Sequence, residues 1–416
     1  MIEQLADRAE REIEEQVKQA RHVAEINQRR VLEAFWNHKV SDSHFNPTTG
    51  YGYDDYGRDV LESVYAEVFG SEDALVRSQL VSGTHAITTA LFGVLRPGNE
   101  LLYITGDPYD TLEGLVNNKG EQDTGTLKDF NITYQSVPLT ESGEIDWCET
   151  RNKINVNTRV VAIQRSKGYA DRPSFTIDQI KEMVQFVKGI NSDIVIFVDN
   201  CYGEFVEASE PPHVGVDLIA GSLIKNPGGG IVRTGGYIVG KKELVNMAAN
   251  RLTAPGLGKE IGASIGMLQE MYQGLFLAPH IVEEAVKGAI FTSRFLSLLG
   301  FKTLPAYTDK RTDLIQSVNF DSAEQMIAFC QSIQKASPIN SHVTPYPSPM
   351  PGYQDNVIMA AGTFIQGASL ELTADGPIRP PFTAFVQGGL TYAHVKIAIM
   401  AAVSNLIKQE FIKIEI

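Results

Sequence analysis

The feature that most constrains this chain is a series of short apolar runs, each closed by a polar turn. ELLYITG (100–106), RVVAIQRS (159–166) and DIVIFVD (193–199) are apolar on successive rather than alternate residues. A strand can carry apolar side chains on both faces only where both are covered, as in a parallel sheet flanked by helices. Helical stretches lie between the runs. DVLESVYAEVFG ends in Gly70, which suits a left-handed helix stop. IDQIKEMVQFVKG follows Thr176, whose hydroxyl can cap the first turn. ALVRSQLVSGTHAITTALFGVL reads as a strand, a Ser-Gly-Thr turn and a helix. The alternation, from about 60 to 240, predicts an α/β domain with a doubly wound, mostly parallel sheet.

Outside that span the pattern changes. Residues 1–38 place Ile13, Val17, Ala20 and Ala24 at helical spacing, an amphipathic arm with no core of its own. FNPTTGYGYDDYGRD, which follows, reads as a polar loop. Beyond about 280 a long helix leads into mixed strands and helices around the proline-rich TPYPSPMPGY. That predicts a smaller α+β domain. The expected division is an arm and loop over 1–58, a large domain over 59–279 and a small domain over 280–416.

Fifty acidic against 36 basic residues give a formal charge of −14, which argues against nucleic-acid binding. No apolar stretch reaches the roughly 18 to 20 residues of a membrane span. The start, MIEQLADRAEREIEEQ, is too charged for a secretory signal. A cytoplasmic protein is expected. Cys148, Cys201 and Cys330 are odd in number and widely spaced, suggesting neither a disulfide framework nor a zinc site.

Ligands of open α/β sheets bind beyond the carboxyl ends of the strands, and several polar residues fall there. VSGTHA sets Ser82, Gly83 and Thr84 at a helix N-terminus, where backbone N–H groups and the helix dipole can hold a phosphate. GDPYDT presents Tyr109, and DIVIFVDN ends in Asp199. DLIAGSLIK ends in Ser222 and Lys225, with three glycines close behind. A lysine at the end of a buried strand is costly unless its amine is neutralised, paired or chemically used. Cradle, ring, carboxylate and lysine together match pyridoxal 5'-phosphate. Lys225 would form a Schiff base with its aldehyde, Asp199 would pair with the pyridine nitrogen, and Tyr109 would stack on the ring. Taken singly, each has a plainer reading as a helix cap, a core ring, a turn residue or a surface lysine such as Lys241 or Lys242. Their order along the chain is what joins them. His85 and Cys201, beside the key residues, read as bystanders.

These segments resemble fold-type I pyridoxal-phosphate enzymes of cysteine and methionine metabolism, within them the methionine gamma-lyase-like branch labelled aluminium resistance proteins. SGTHAI stands where the group has Ser-Gly-x-Gly-Ala, and PYDT is similar to its Tyr-Gly-x-Thr. VDNCY matches Val-Asp-Asn-Thr-Tyr, and GSLIKNPGGG matches Ser-x-Thr-Lys-Tyr-x-Gly-Gly. GTFIQGASLELTADGPIRPPFTAFVQGG is the stretch most particular to the branch. There are departures: Ile224 replaces a hydroxyl residue, His85 replaces a glycine, and RSKGYADRP lacks Asn-Pro. The resemblance implies a homodimer or homotetramer in which a loop like GYGYDDYGRD reaches the partner's site. Tyr56 would contact the cofactor there, with Tyr51 and Arg58 as further candidates, while the arm clasps the partner. It implies β- or γ-elimination from a sulfur amino acid, with Lys225 as base, Tyr109 as acid and Arg379 on the substrate carboxylate. Two alternatives stay open: another pyridoxal-phosphate reaction such as transamination or aldol cleavage, or a non-catalytic stress or metal-tolerance protein. No carboxylate cluster has the ligand spacing of a hard cation.

Overall fold

The computed structural model describes residues 1–116, 124–170, 172–350 and 353–413. Two helices form the arm, α1 (Ile2–Glu12) and α2 (Glu14–Asn37), and α3 (Tyr56–Val68) follows the polar loop. The large domain then runs β1 (Asp73–Arg77), α4 (Gly83–Val94), β2 (Glu100–Tyr103), α5 (Asp110–Val116), β3 (Thr133–Ser136), α6 (Trp147–Lys153) and β4 (Thr158–Gln164). It continues through α7 (Ile177–Ile190), β5 (Val195–Asp199), β6 (Leu218–Ser222), β7 (Gly236–Gly240) and α8 (Lys242–Leu252). The expected caps form: Thr176 and Gln179 make a reciprocal capping box on α7. Gly70 adopts φ +69° just past α3. That helix starts at Tyr56, ahead of the expected Asp59, because Asp55 accepts from the Arg58 backbone N–H at 3.0 Å.

The sheet order is β1-β7-β6-β5-β4-β2-β3. Neighbouring strands are parallel from β3 through β6, and β7 pairs antiparallel with both β6 and β1. β5 and β6 are buried at every position, as a sheet covered on both faces requires. The register sets Gln164 opposite Asp199 and Asp199 opposite Ala220, which lines up the carboxyl ends of β4, β5 and β6.

A long helix, α9 (Leu268–Ser297), carries Pro279 inside it and passes unbroken through the expected division at 279. The small domain adds β8 (Thr303–Leu304), β9 (Gln316–Asn319), α10 (Ala323–Lys335), β10 (Val357–Ala361), β11 (Thr373–Pro377), β12 (Thr383–Gln387) and α11 (Tyr392–Lys408). Its strands form a separate antiparallel sheet in the order β10-β11-β12-β9-β8. The α/β class and the smaller α+β domain are as expected.

The arm is not. Its apolar stripe was expected to cover a partner, but α2 packs along α9 of its own chain and buries Ala24, Val31 and Ala34. Asn27, fully buried, donates to the carbonyls of Phe205 and Glu207 at 2.8 and 3.1 Å, and Arg30 donates to that of Ala208 at 2.6 Å. A buried amide with two carbonyl partners is costly to withdraw, so it fixes the arm at home. Among the described residues no helix is long and apolar enough to cross a membrane.

Candidate active site

Beyond the carboxyl edge of β4, β5 and β6 lies a cavity of about 280 Å³. Its wall takes Ser82, Gly83 and Thr84 from the start of α4, Tyr109 and Thr111 from the turn into α5, and Gln164, Ser166, Gly168 and Tyr169 from after β4. Asp199, Cys201 and Tyr202 follow β5, and Ser222, Ile224 and Lys225 follow β6. Tyr353 and Gly367 close it from the small domain. Strand-end placement thus brings Ser82, Gly83, Thr84, Tyr109, Asp199, Ser222 and Lys225 together.

At the α4 terminus, Ser82 Oγ accepts from the His85 N–H at 3.0 Å, and His85 Nδ1 accepts from the Val81 N–H at 3.2 Å. His85 is therefore part of the cap. The first-turn N–H groups of Gly83 and Thr84 have no partner within a helix, so the terminus can receive an anion. A Cβ on Gly83 would stand 3.2 Å from Ser222 Cβ and 3.3 Å from Cys201 Sγ, which explains the glycine. Ser222 Oγ accepts from the Ile224 N–H at 3.4 Å.

Tyr109 is held twice. Its hydroxyl hydrogen-bonds Thr84 Oγ1, and its N–H donates to Gln164 Oε1 at 2.7 Å. Burial, with the Asp199 charge adding, pushes the phenol up to about 12, so it keeps its proton at neutral pH. Asp199 is buried and accepts from the Cys201 N–H at 3.1 Å. Burial pushes its carboxyl above the usual range, against the pull of the Lys225 ammonium. The Lys225 amine lies 3.9 Å from the centroid of the Tyr202 ring, and no carboxylate among the described residues comes within ion-pair distance of it. Burial pulls that amine down, but Cys201, Tyr202, Tyr109 and Asp199 around it leave it above the ordinary lysine range. Tyr202 adopts φ +73°, a left-handed conformation that costs a non-glycine residue about 1–3 kcal/mol and that recurs at functional sites.

The glycines behind Lys225 permit close packing within this chain. A Cβ on Gly228 would stand 1.8 Å from the Leu223 carbonyl oxygen, and one on Gly229 2.4 Å from that of Gly274 in α9. These contacts seat the lysine turn on the helix joining the two domains.

Other expected residues are elsewhere. Arg379 is exposed on the turn after β11 and pairs with Asp355 at 3.1 Å, outside the cavity. Arg58 is buried and spent in its own chain, donating to the Gly52 and Gly262 carbonyls at 2.8 and 3.2 Å and pairing with Asp59. Tyr56 and Tyr51 are 66% and 64% exposed, do not line this cavity, and pack on His44 and Tyr53 respectively. Arg165 is fully buried, donating to Asn200 at 2.8 Å and pairing with Glu207 and Glu210, a structural tie between strand ends.

The sequence reading missed Gln164, Tyr202, Tyr169 and Tyr353. Gln164 ends β4 just as Asp199 ends β5, so the strand-end rule could have found it. Tyr169 hydrogen-bonds Asp375 on β11, and Asp375 also accepts from Gln387 at 3.0 Å. Burial raises the Asp375 carboxyl to about 7. A carboxyl whose folded pKa lies above its unfolded value binds more protons when folded, so stability falls as pH rises between the two. The wild-type urea midpoint is thus expected to drop from pH 5 to pH 8, through a contribution of about 3 kcal/mol lost over that window. Asp375→Asn should remove most of that slope. An unchanged slope would show that Asp375 is not its source.

The arrangement can hold an anion at the α4 terminus, a protonated ring nitrogen at Asp199 and a reactive carbonyl at Lys225. Among the described residues no group of three or more His, Cys, Asp and Glu side chains is placed to hold a metal ion.

A model of the methionine gamma-lyase family matches residues 2–407. The chain is 64% identical over 395 residues to YnbB of Bacillus subtilis strain 168, an uncharacterised protein, covering 95% of this chain and 94% of that one. A Listeria innocua structure described as a candidate cystathionine beta-lyase involved in aluminium resistance superposes with a TM-score of 0.96 at 61% identity, covering 97% and 99% of the two chains. A carbon-sulfur lyase involved in aluminium resistance from Clostridium novyi NT gives a TM-score of 0.94 at 49% identity, covering 97% and 96%. The pyridoxal-5'-phosphate-dependent protein YhfS of Escherichia coli, at 15% identity and a TM-score of 0.60, shares the fold.

Proposed function

Because the chain belongs to the methionine gamma-lyase family, we propose that it is a pyridoxal-phosphate-dependent carbon–sulfur lyase, acting by β- or γ-elimination on a sulfur amino acid. The observation that carries this reading is the Lys225 ammonium, enclosed with Asp199 and Tyr109 at the strand ends and lacking a carboxylate partner among the described residues. A buried cation without a structural partner is best explained by chemical use. The names of the solved Listeria and Clostridium relatives support the reaction class.

The residues fit the cofactor. The α4 terminus with Ser82, Gly83 and Thr84 would hold the phosphate, Ser222 would donate from the other side, Asp199 would meet the ring nitrogen and Tyr109 would lie on the ring. Bound, the cofactor supplies an electron sink for a bond broken at the substrate α-carbon. Lys225 Nζ then moves the α-proton. The Tyr109 phenol, protonated and aimed by Thr84 and Gln164, gives its proton to the departing sulfur. Tyr169 and Tyr353 narrow the mouth and exclude water.

The purified protein, incubated with cystathionine, cysteine and methionine, should release pyruvate or 2-oxobutyrate together with ammonia and the thiol or sulfide leaving group. Amino transfer to an added keto acid, or aldehyde release from a hydroxy amino acid, without carbon–sulfur cleavage would overturn the reading.

The proposal includes a shared site in a homodimer or homotetramer. Tyr51, in the loop before α3, and Tyr56, at the start of α3, present exposed rings outside their own cavity, beside Arg58, which donates to the Gly52 and Gly262 carbonyls; this supports a role at a partner's site. Mixing inactive Lys225→Ala with inactive Tyr56→Phe protein under subunit exchange should restore about a quarter to a half of the activity, since each mixed pair regains one intact centre. No recovery, with mixed pairs confirmed by mass, would remove Tyr56 from the partner's site.

A further inference from the structure

The turn after β5 carries a residue that its backbone does not favour. The Asn200 carbonyl accepts from the Gly203 N–H at 3.1 Å, closing a four-residue turn with Tyr202 third. A positive φ at that place, +73° for Tyr202, is what glycine or asparagine ordinarily supplies. The glycine of this turn stands one place later, where a Cβ on Gly203 would lie 2.5 Å from Arg165 Cδ. Core packing does not explain the strained tyrosine, since its side chain is only part-buried and lines the catalytic cavity. The contact it gains is with Lys225, part-buried in the same wall, whose Nζ stands 3.9 Å from the ring centroid. An ammonium over a ring face at that distance is held by the ring quadrupole, and more firmly out of water.

The other groups that face the amine do not take over that part. Asp199 and Cys201 face it from the end of β5, Tyr109 from the turn into α5, and Glu204 from just beyond Tyr202. Burial raises the Cys201 thiol and the Tyr109 phenol, so both keep their protons at neutral pH. Burial also raises the Glu204 carboxyl to about 8, and it accepts from the Tyr237 hydroxyl at 2.6 Å, so it is mostly uncharged there. Asp199 stands outside ion-pair distance and is the group placed to meet the ring nitrogen. A ring face, by contrast, attracts a cation without having to ionise. We propose that the face of the Tyr202 ring receives the ammonium that Lys225 becomes when its lone pair takes the substrate α-proton. This rests on the reading of Lys225 as the cofactor lysine and goes beyond it by naming what holds the charge. The proton passes to Nζ, and the C–H electron pair is drawn from the α-carbon into the bound cofactor. The ring does this and the hydroxyl does not, so phenylalanine should serve as well.

The test compares Tyr202→Phe, which keeps the ring, with Tyr202→Leu and Tyr202→Met, which lack it. Burial pulls the Lys225 amine down, yet its surroundings leave it above the ordinary lysine range, so little of it is neutral at pH 8. Removing the ring should lower its proton affinity about tenfold. Protein stripped of cofactor with hydroxylamine and given fresh pyridoxal phosphate at pH 8 is followed by absorbance. The ringless variants should attach it to lysine several-fold faster than the wild type, because more of their amine is neutral. Exchange of the α-hydrogen with solvent deuterium is then followed on cystathionine, cysteine or methionine, whichever the wild type cleaves. In the same variants it should be about three- to tenfold slower, since the base is weaker. Tyr202→Phe should stay within about twofold of the wild type in both measurements. A structural defect would slow both together, so faster attachment with slower exchange separates the two. Equal rates throughout, both rates slowed, or Tyr202→Phe behaving like Tyr202→Leu overturns the proposal. Wild-type protein that takes up no cofactor overturns the lyase reading itself, and this proposal with it.

Discussion

Lys225→Ala protein is expected to lose at least about 10³-fold in kcat, within the range that one positioned proton-transfer group supplies, while keeping its fold. The second half of that expectation follows from the structure. The Lys225 ammonium sits over the Tyr202 ring at 3.9 Å, and its removal strands no carboxylate partner among the described residues. No ion pair or hydrogen bond is broken, although the surroundings that hold the amine above the ordinary lysine range lose their cation and the Asp199 carboxyl loses its pull. The turn around it is held independently, since Asn226 Nδ2 donates to the Glu204 carbonyl at 2.9 Å and the Gly228 N–H to the Lys225 carbonyl at 3.1 Å. The variant should therefore still fold, with a melting temperature close to or slightly below that of the wild type. Borohydride reduction of native protein followed by peptide mapping should place the cofactor on Lys225. A label on Lys241, which pairs with Asp217 at 2.8 Å on the far side of β6, would sink the assignment.

Asp199→Asn is expected to keep the cofactor and lose about 10²–10³-fold in α-proton exchange, the usual cost of one preorganised electrostatic contact. Asparagine keeps the shape and can still accept from the Cys201 N–H, so the local fold is retained. It cannot hold a proton on the ring nitrogen, because that needs a negative charge beside it. Exchange of the substrate α-hydrogen with solvent deuterium, followed by NMR, isolates this step from later ones. Full exchange in the variant would show that another group holds the ring. The buried carboxyl, raised by its surroundings against the pull of Lys225, marks Asp199 as a residue kept at some cost to stability.

What the sequence alone determined is what depends on neighbours along the chain. Unbroken apolar runs require a sheet covered on both faces, and the Thr176 and Gly70 signals start and stop helices within one turn. Once those strands are parallel, their ends must lie on one edge. Ser82, Gly83, Thr84, Asp199, Ser222 and Lys225 then converge on that edge, with Tyr109 on the turn after β2 close by. The tertiary structure decided what depends on distant parts of the chain meeting. Whether the stripe on α2 faces a partner or α9 turns on Asn27 finding the carbonyls of Phe205 and Glu207, which no periodicity reveals. Arg58 and Arg379 both read in the sequence as arginines of polar loops. One is buried against the Gly52 and Gly262 carbonyls, and the other stands outside with Asp355. Tyr109 owes its position to Gln164, 55 residues on in the chain. A side chain's partner across such a span is fixed by packing of whole elements. Local sequence sets which element a residue sits on and which way it can face, but not what it meets there.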